Sequence, residues 1–448
     1  MSMASQLVKS ENKYQSAFRD LQASPAASRV AWFDRLREGA LDRFEQVGLP
    51  SADEEEWKYT NLAALARIDL DPLVVSTAAD ISPETLNAFS YPESANSRVV
   101  LVNGIFQRAL SSLQGANQIV AMELSEAVAD NRYSDLIREY LARGADYMQS
   151  GLTALNTAFL ASGTFVLIPR NVKLDVPLHL LCLSDPEGPD MTTMPRVLVV
   201  SEENSSATFI ETYSATREGQ YFTNAVVEIV LQDGAQLEHY RVQRESNDAF
   251  HVATTAVDLG RGSSYNTTSI TLGARLSRHD INVIMYHEGA ECWVDGLYLV
   301  STGQHADTHS VIDHKQPHCS SRQLYKGILD GNSRAVFNGK IFVRHGAQKT
   351  DAMQTNKNLL LSPEARVDTK PQLEIFADDV KCAHGAAVGQ IDEDELFYLE
   401  TRGIHPDLAR NLLTYGFAEE VIGKIKVDSI RLQLDEAVLN RLDASLEA

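Results

Sequence analysis

The side chains best equipped for metal chemistry fall in two stretches. The first is KCAHG, residues 381–385, where Cys382 and His384 stand two positions apart. On a strand, side chains alternate with period two, so both donors share one face while Lys381 and Ala383 share the other. Thiolate and imidazole suit iron, zinc or copper. An iron-sulfur cluster takes about four protein ligands, mostly thiolate, yet Cys182, Cys292 and Cys319 lie 63 or more residues upstream. Taken alone, the pair reads as a small buried thiol beside a hydrogen-bonded imidazole. As a metal site it is half a ligand set, and a second chain must supply the rest.

The second stretch is GQHADTHSVIDHKQPHCS, which holds His305, His309, His314, His318 and Cys319 within 15 residues. Pairing two imidazoles at i and i+4 requires a helix, whereas Val311, Ile312 and Pro317 speak for strand and turn. A structural, hydrogen-bonding role is the expectation for this insertion, with a metal site of its own as the alternative. Other chemistry lacks its signatures. The chain has no G-x-x-x-x-G-K-[ST] loop and no G-x-S-x-G elbow; GRGSSY at Gly260 lacks the third glycine of a dinucleotide fingerprint, and HEGAEC at His287 fails the H-E-x-x-H spacing.

Bulk properties narrow the partners. The chain has 448 residues, 40 Lys plus Arg against 61 Asp plus Glu, and a formal charge of -21, which disfavours nucleic acid and anionic lipid. No segment approaches the ~20 apolar residues needed to span a bilayer, and the N-terminal stretch lacks the pattern of an export signal. A cytoplasmic protein with four free thiols is expected.

The elements that must position these residues divide into three zones. In residues 1–97 the texture is helical: Trp32, Phe33, Leu36, Ala40, Phe44 and Val47 gather on one side of a helix stopped by Gly48 and Pro50. Next, DEEEWKYTNL reads as an acidic first helical turn before an aromatic anchor. Residues 98–391, apart from a helical insertion at about 130–160, are short β-branched and aromatic segments bounded by Gly, Asn, Asp or Ser. A turn followed by a small residue recurs at Ser205, Gly234, Gly262, Gly289, Asn332 and Pro363, at intervals of 29, 28, 27, 43 and 31. A repeat near 30 residues with one longer insertion predicts a parallel β-helix, a solenoid whose turns share one core; a β-sandwich or jelly roll is the alternative.

Residues 392–448 return to helix. Asp392 and Glu395 form a capping-box pattern, and Gly403 closes that helix. Pro406 and Gly416 frame a second helix, a third runs through FAEEVIGKI, and Ile430, Leu434, Val438 and Leu442 stripe the last. Such a block commonly caps a solenoid, or offers a docking face to another protein.

The segment from His318 to Ile404, with NGKIFVRHGAQKTDAMQTNKNLLLSPEARVDTKPQLEIFADDVKCAHGAAVGQ at its heart, closely resembles the SufB/SufD family of iron-sulfur cluster assembly scaffolds. EEWKYTNL, LVNGIF and LTALNTAF extend the resemblance over nearly the whole chain, and KCAHGAAVGQ is similar to the SufD branch rather than the SufB branch. The resemblance implies a right-handed parallel β-helix core flanked by helical domains, in a non-catalytic scaffold that pairs with SufB and the ATPase SufC. It further implies that His384, with Cys382 as its same-face neighbour, serves a nascent cluster site shared with SufB, as the metal-binding donor of this chain. The C-terminal block, including Leu408, Leu412, Tyr415 and Phe417, would receive SufC. No cofactor is expected to be held tightly by the isolated chain; the iron-sulfur cluster is transient, and a homodimer is plausible without SufB. Two other readings stand beside it: a stand-alone metal carrier using the His-rich stretch, and a β-helix enzyme acting on polysaccharide.

Overall fold

In a computed structural model, residues 14–23, 30–68, 71–72, 81–160, 162–186 and 191–447 are described. Strands of mostly ten residues alternate along the chain between two sheets, and within each sheet successive coils pair in parallel, with one short antiparallel strand at the start of each, Val120–Glu123 in the first and Ile105–Phe106 in the second. The parallel part of the first sheet runs from Thr164–Ile168 to Arg366–Ile375, that of the second from Arg98–Val102 to Lys381–Gly389. Together they make a β-solenoid of about eight coils with helices at both ends, the expected fold class.

The pairing is in register, so like positions stack into columns. Val166, Val199, Ile229, Val257, Val283 and Ile312 are successive rungs ending at Ile341. Each is no more than 2% exposed. Every rung buries an aliphatic side chain, about 1.5–3 kcal/mol apiece relative to exposure. That continuous column is what closes one coil upon the next.

The supposed long insertion does not exist. Gly289 precedes the second-sheet strand Glu291–Val300, whereas Asn332 precedes the first-sheet strand Arg334–Val343. The 43-residue interval therefore crosses from one sheet's turns to the other's. The skipped turn lies before Ser320–Leu329 and is occupied by His318 with φ 61°, in the left-handed conformation that Gly234, Gly262 and Gly289 supply one to three coils earlier. Glycine adopts it freely; the histidine hides the repeat from a glycine search. The His-rich stretch is accordingly an ordinary strand, His305–His314, followed by a turn.

The helix Ala31–Val47 ends at Gly48 as expected, burying Phe33, Ala40 and Phe44, while Val47 stays exposed. With helix Gly151–Ala158 it covers the outer face of early first-sheet strands through Phe159, Phe222 and Phe250. The acidic run before Trp57 forms only a single 3-10 turn, Glu55–Trp57, because its carboxylates are drawn outward to cations on the solenoid.

At the other end, Asp392 caps helix Glu393–Thr401, accepting from Asp394 N at 2.8 Å. The second and third expected helices are one, Pro406–Ile422, running through Gly416. Ala418, Val421 and Ile422 pack onto the solenoid, and that burial outweighs the roughly 1 kcal/mol cost of a helical glycine. Ile430, Leu434 and Val438 of helix Asp428–Glu447 are buried; the Leu442 side chain lies outside the described residues. This block does not cap the solenoid. It lies along the flank of the second sheet, against Val242, Ile270, Leu297, Leu299 and Ile328. The last coil's end is left open.

Candidate functional site

The final coil consists of Arg366–Ile375 and Lys381–Gly389, each the terminal strand of its sheet. Their outer edges have no neighbouring strand among the described residues, so a row of backbone N–H and C=O groups is free for pairing. Met353, Ile375, Phe376 and Val388 are between 42% and 48% exposed around this end. Alternation sets the faces as expected. Cys382 stacks on buried Ala352 and His384 on buried Gln354, whereas Ala383 stacks on exposed Met353. Both donors therefore point along the inner face of the solenoid, and no further coil covers them among the described residues.

The two differ in freedom. Cys382 is half-buried against the core, and this burial pushes its thiol pKa up. His384 is exposed and has no hydrogen-bond or ion-pair partner among the described residues. Beneath them the interior is polar. Gln323 Nε2 donates to Ser310 Oγ at 2.8 Å, and Gln354 Nε2 donates to Gln323 Oε1 at 2.6 Å. Deeper still, Glu211 is bonded to His239 at 3.0 Å, and His239 to the Tyr265 hydroxyl at 2.8 Å. Burial opposes charge on Glu211, yet His239 and Arg241 hold its carboxyl below the usual range. The amide ladder was absent from the sequence reading; its signal was the alternation in DAMQTNKN, which puts Gln354, Asn356 and Asn358 on one strand face.

The His-rich stretch is divided by the same alternation. His314 faces inward, bonded to Ser321 Oγ at 2.9 Å, and burial pushes its pKa down to about 4. His305 and His309 face outward, where residues 55–60 cross them as a strap. Thr60 Oγ1 donates to Asp307 Oδ2 at 2.5 Å and lies 3.0 Å from His305 Nε2. His309 bridges Asp307 at 3.1 Å and Glu56 at 3.4 Å. Cys319 is buried, its Sγ donating to the His287 carbonyl. Among the described residues, no group of three or more His, Cys, Asp and Glu side chains is arranged to hold a metal ion.

In the C-terminal block, Leu408 and Leu412 are 53% and 44% exposed on one helical face. Tyr415 and Phe417 are half-buried and turn toward the solenoid. Lys326 Nζ lies 4.2 Å from the Phe417 ring centroid, bonds its carbonyl at 2.8 Å, and also pairs with Glu420. Phe397 and Tyr398, 66% and 56% exposed, add aromatic surface that the sequence reading did not name. Among the described residues no helix is long and apolar enough to cross a membrane.

Comparison with known proteins agrees with this architecture. The family model for the SUF system FeS cluster assembly SufBD core domain matches residues 183–417, and that for the SufBD protein N-terminal region matches residues 8–180. An iron-sulfur cluster assembly SufBD family protein of Synechocystis is 37% identical over 90% of this chain and 89% of its own length. The iron-sulfur cluster assembly protein SufD of Escherichia coli is 32% identical over 90% of this chain and 91% of its own. SufD of Bacillus subtilis is 28% identical over 95% and 96%. With both models matched and such relatives covered nearly end to end, this chain belongs to the SufBD family of iron-sulfur cluster assembly proteins.

Proposed function

We propose that this chain is a cytoplasmic, non-catalytic scaffold subunit that pairs with SufB and binds the ATPase SufC, so that a nascent iron-sulfur cluster forms where this chain and SufB meet. The observation that carries the reading is His384: an imidazole without a partner, exposed on the uncovered last coil of a chain whose family assembles clusters. Free strand edges and the apolar rim of Ile375, Phe376 and Val388 fit pairing with another β-solenoid. His384 supplies one donor to iron, Cys382 is the weaker second donor because its thiol resists ionisation, and the partner completes the ligand set. The cluster is cargo, held transiently by the complex and not tightly by this chain alone.

Leu408 and Leu412, with Phe397 and Tyr398 nearby in sequence, offer the surface for SufC. Tyr415 and Phe417 serve that surface indirectly, by fastening the helix to the second sheet. Movement of SufC on ATP binding would shift the scaffold only if the contacts differ between the two states. Co-expression with SufB and SufC tests the reading by comparing wild type with His384→Ala. A complex that still assembles but loses its clusters is the expected result; unchanged cluster content overturns the assignment of His384.

A further inference from the structure

We infer that Gln354 is the positioning residue for His384: the two are not bonded in this structure, but a turn of the exposed imidazole would let the free Gln354 side-chain carbonyl accept one ring N–H and direct the other ring nitrogen, lone pair outward, toward incoming iron. The inference rests on the reading of His384 as a metal donor.

Val294, Gln323, Gln354 and His384 are consecutive rungs of one inward column in the second sheet. The amides in this column are oriented in series. Gln323 gives its Nε2 to Ser310, which leaves Gln323 Oε1 facing Gln354, and Gln354 answers with its own Nε2. The atom left over is Gln354 Oε1. The residue is only 1% exposed, and this oxygen has no hydrogen-bond partner among the described residues. Leaving such an acceptor unsatisfied is unfavourable, because its desolvation is not repaid by a hydrogen bond.

Its neighbours cannot serve it. Asn356, the next inward residue of the strand, already donates its Nδ2 to the Tyr298 hydroxyl and the Tyr325 carbonyl, each at 3.3 Å. One rung up, the final strand places Cys382, His384, Ala386 and Val388 inward. Of these, only the imidazole carries an N–H able to reach down one strand spacing of about 4.8 Å. Room for the amide comes from the opposite sheet. A Cβ added at Gly339 would lie 2.4 Å from Gln354 Nε2.

A neutral imidazole has one donor nitrogen and one acceptor. A hydrogen bond to a carbonyl fixes which is which, the arrangement that orients metal-bound histidines generally. Two polar rungs packed within the solenoid, Gln323 and Gln354, thus end in one acceptor directly beneath the exposed imidazole of His384.

The test reads the tautomer in the full-length chain. Histidine labelled with nitrogen-15 gives distinct signals for the two neutral tautomers, and the His384 signals are those lost in His384→Ala. At a pH where imidazole is neutral, one tautomer of His384 is expected to dominate in wild type. Gln354→Leu and Gln354→Met remove the acceptor and are expected to move the tautomer ratio at least threefold toward that of free imidazole. Gln354→Glu retains an acceptor and is expected to restore the wild-type preference. The same ratio in wild type and the apolar variants overturns the inference. Should neither apolar variant fold, wild type decides alone, because a free-imidazole mixture at His384 is equally fatal. This readout is independent of cluster chemistry: if His384→Ala leaves cluster content unchanged, the proposed function falls while the tautomer result stands.

Discussion

Trp57 lies beneath Arg278, whose guanidinium carbon is 3.7 Å from the indole centroid, although 221 positions separate the two in the chain. Arg278 also donates to the Glu56 carbonyl at 2.7 Å, to Asp307 at 2.9 Å and to Asp280 at 2.8 Å. The indole is therefore the lid on a buried, fully paired guanidinium. Trp57→Ala removes both the cation–π contact and the burial, and is expected to cost about 3–5 kcal/mol. Urea unfolding measures the loss, and protease cleavage within residues 50–62 should accelerate alongside. A loss below about 1 kcal/mol would mean that the strap is ornamental to the fold.

The strap also carries a pH dependence. Burial opposes charge on His309, but Asp307 and Glu56 outweigh it and hold its pKa up at about 9, against an ordinary value of 6.5. A raised histidine pKa contributes stability that is fully present below 6.5 and lost as pH rises through about 9. The contribution is about 1–3 kcal/mol. Between pH 6.5 and 9.5, wild type should lose more stability than His309→Gln by that amount. Parallel pH profiles for the two proteins would show that His309 is not charged in the fold.

Inside the solenoid two tyrosine rings occupy space that glycines leave. A Cβ at Gly296 would lie 2.1 Å from the Tyr325 ring, and one at Gly327 would lie 2.1 Å from the Tyr298 ring. Both rings are buried, so neither swings clear. Gly296→Ala is expected to cost about 1–3 kcal/mol by overpacking. Combining it with Tyr325→Leu should cost less than the separate effects added together, because the clash is then relieved. Strict additivity in thermal or urea unfolding would contradict this packing.

The open edge separates stability from association. Ile375 and Val388 are 42% and 48% exposed. Replacing either with Lys should change the stability of the isolated chain by no more than about 0.5 kcal/mol. The same changes should weaken co-purification with SufB severalfold, because a lysine on a strand edge resists pairing. Retained co-purification in the double variant would place the interface elsewhere.

Much of the fold could be read from local pattern. Period-two alternation put Cys382 and His384 on one face, the turn signal recurring near 30 residues announced the solenoid, and its columns show why: one coil's inward residues rest on those of the next. The repeat was misjudged where His318 took a glycine's place, and the helix break was misplaced at Gly416, because both depend on what the segment packs against.

Sequence by itself determined the β-solenoid between helical ends, the shared face of the two donors and the membership of the SufBD family. Only the tertiary structure decided that the C-terminal helices flank the second sheet and leave the last coil uncovered, that residues 55–60 reach His309 and Arg278, and that Gln354 ends an amide ladder under His384. Side-chain alternation is set by neighbouring residues and is written locally. Which faces are covered, and which acceptors stay unmatched, depends on contacts between residues tens to hundreds of positions apart.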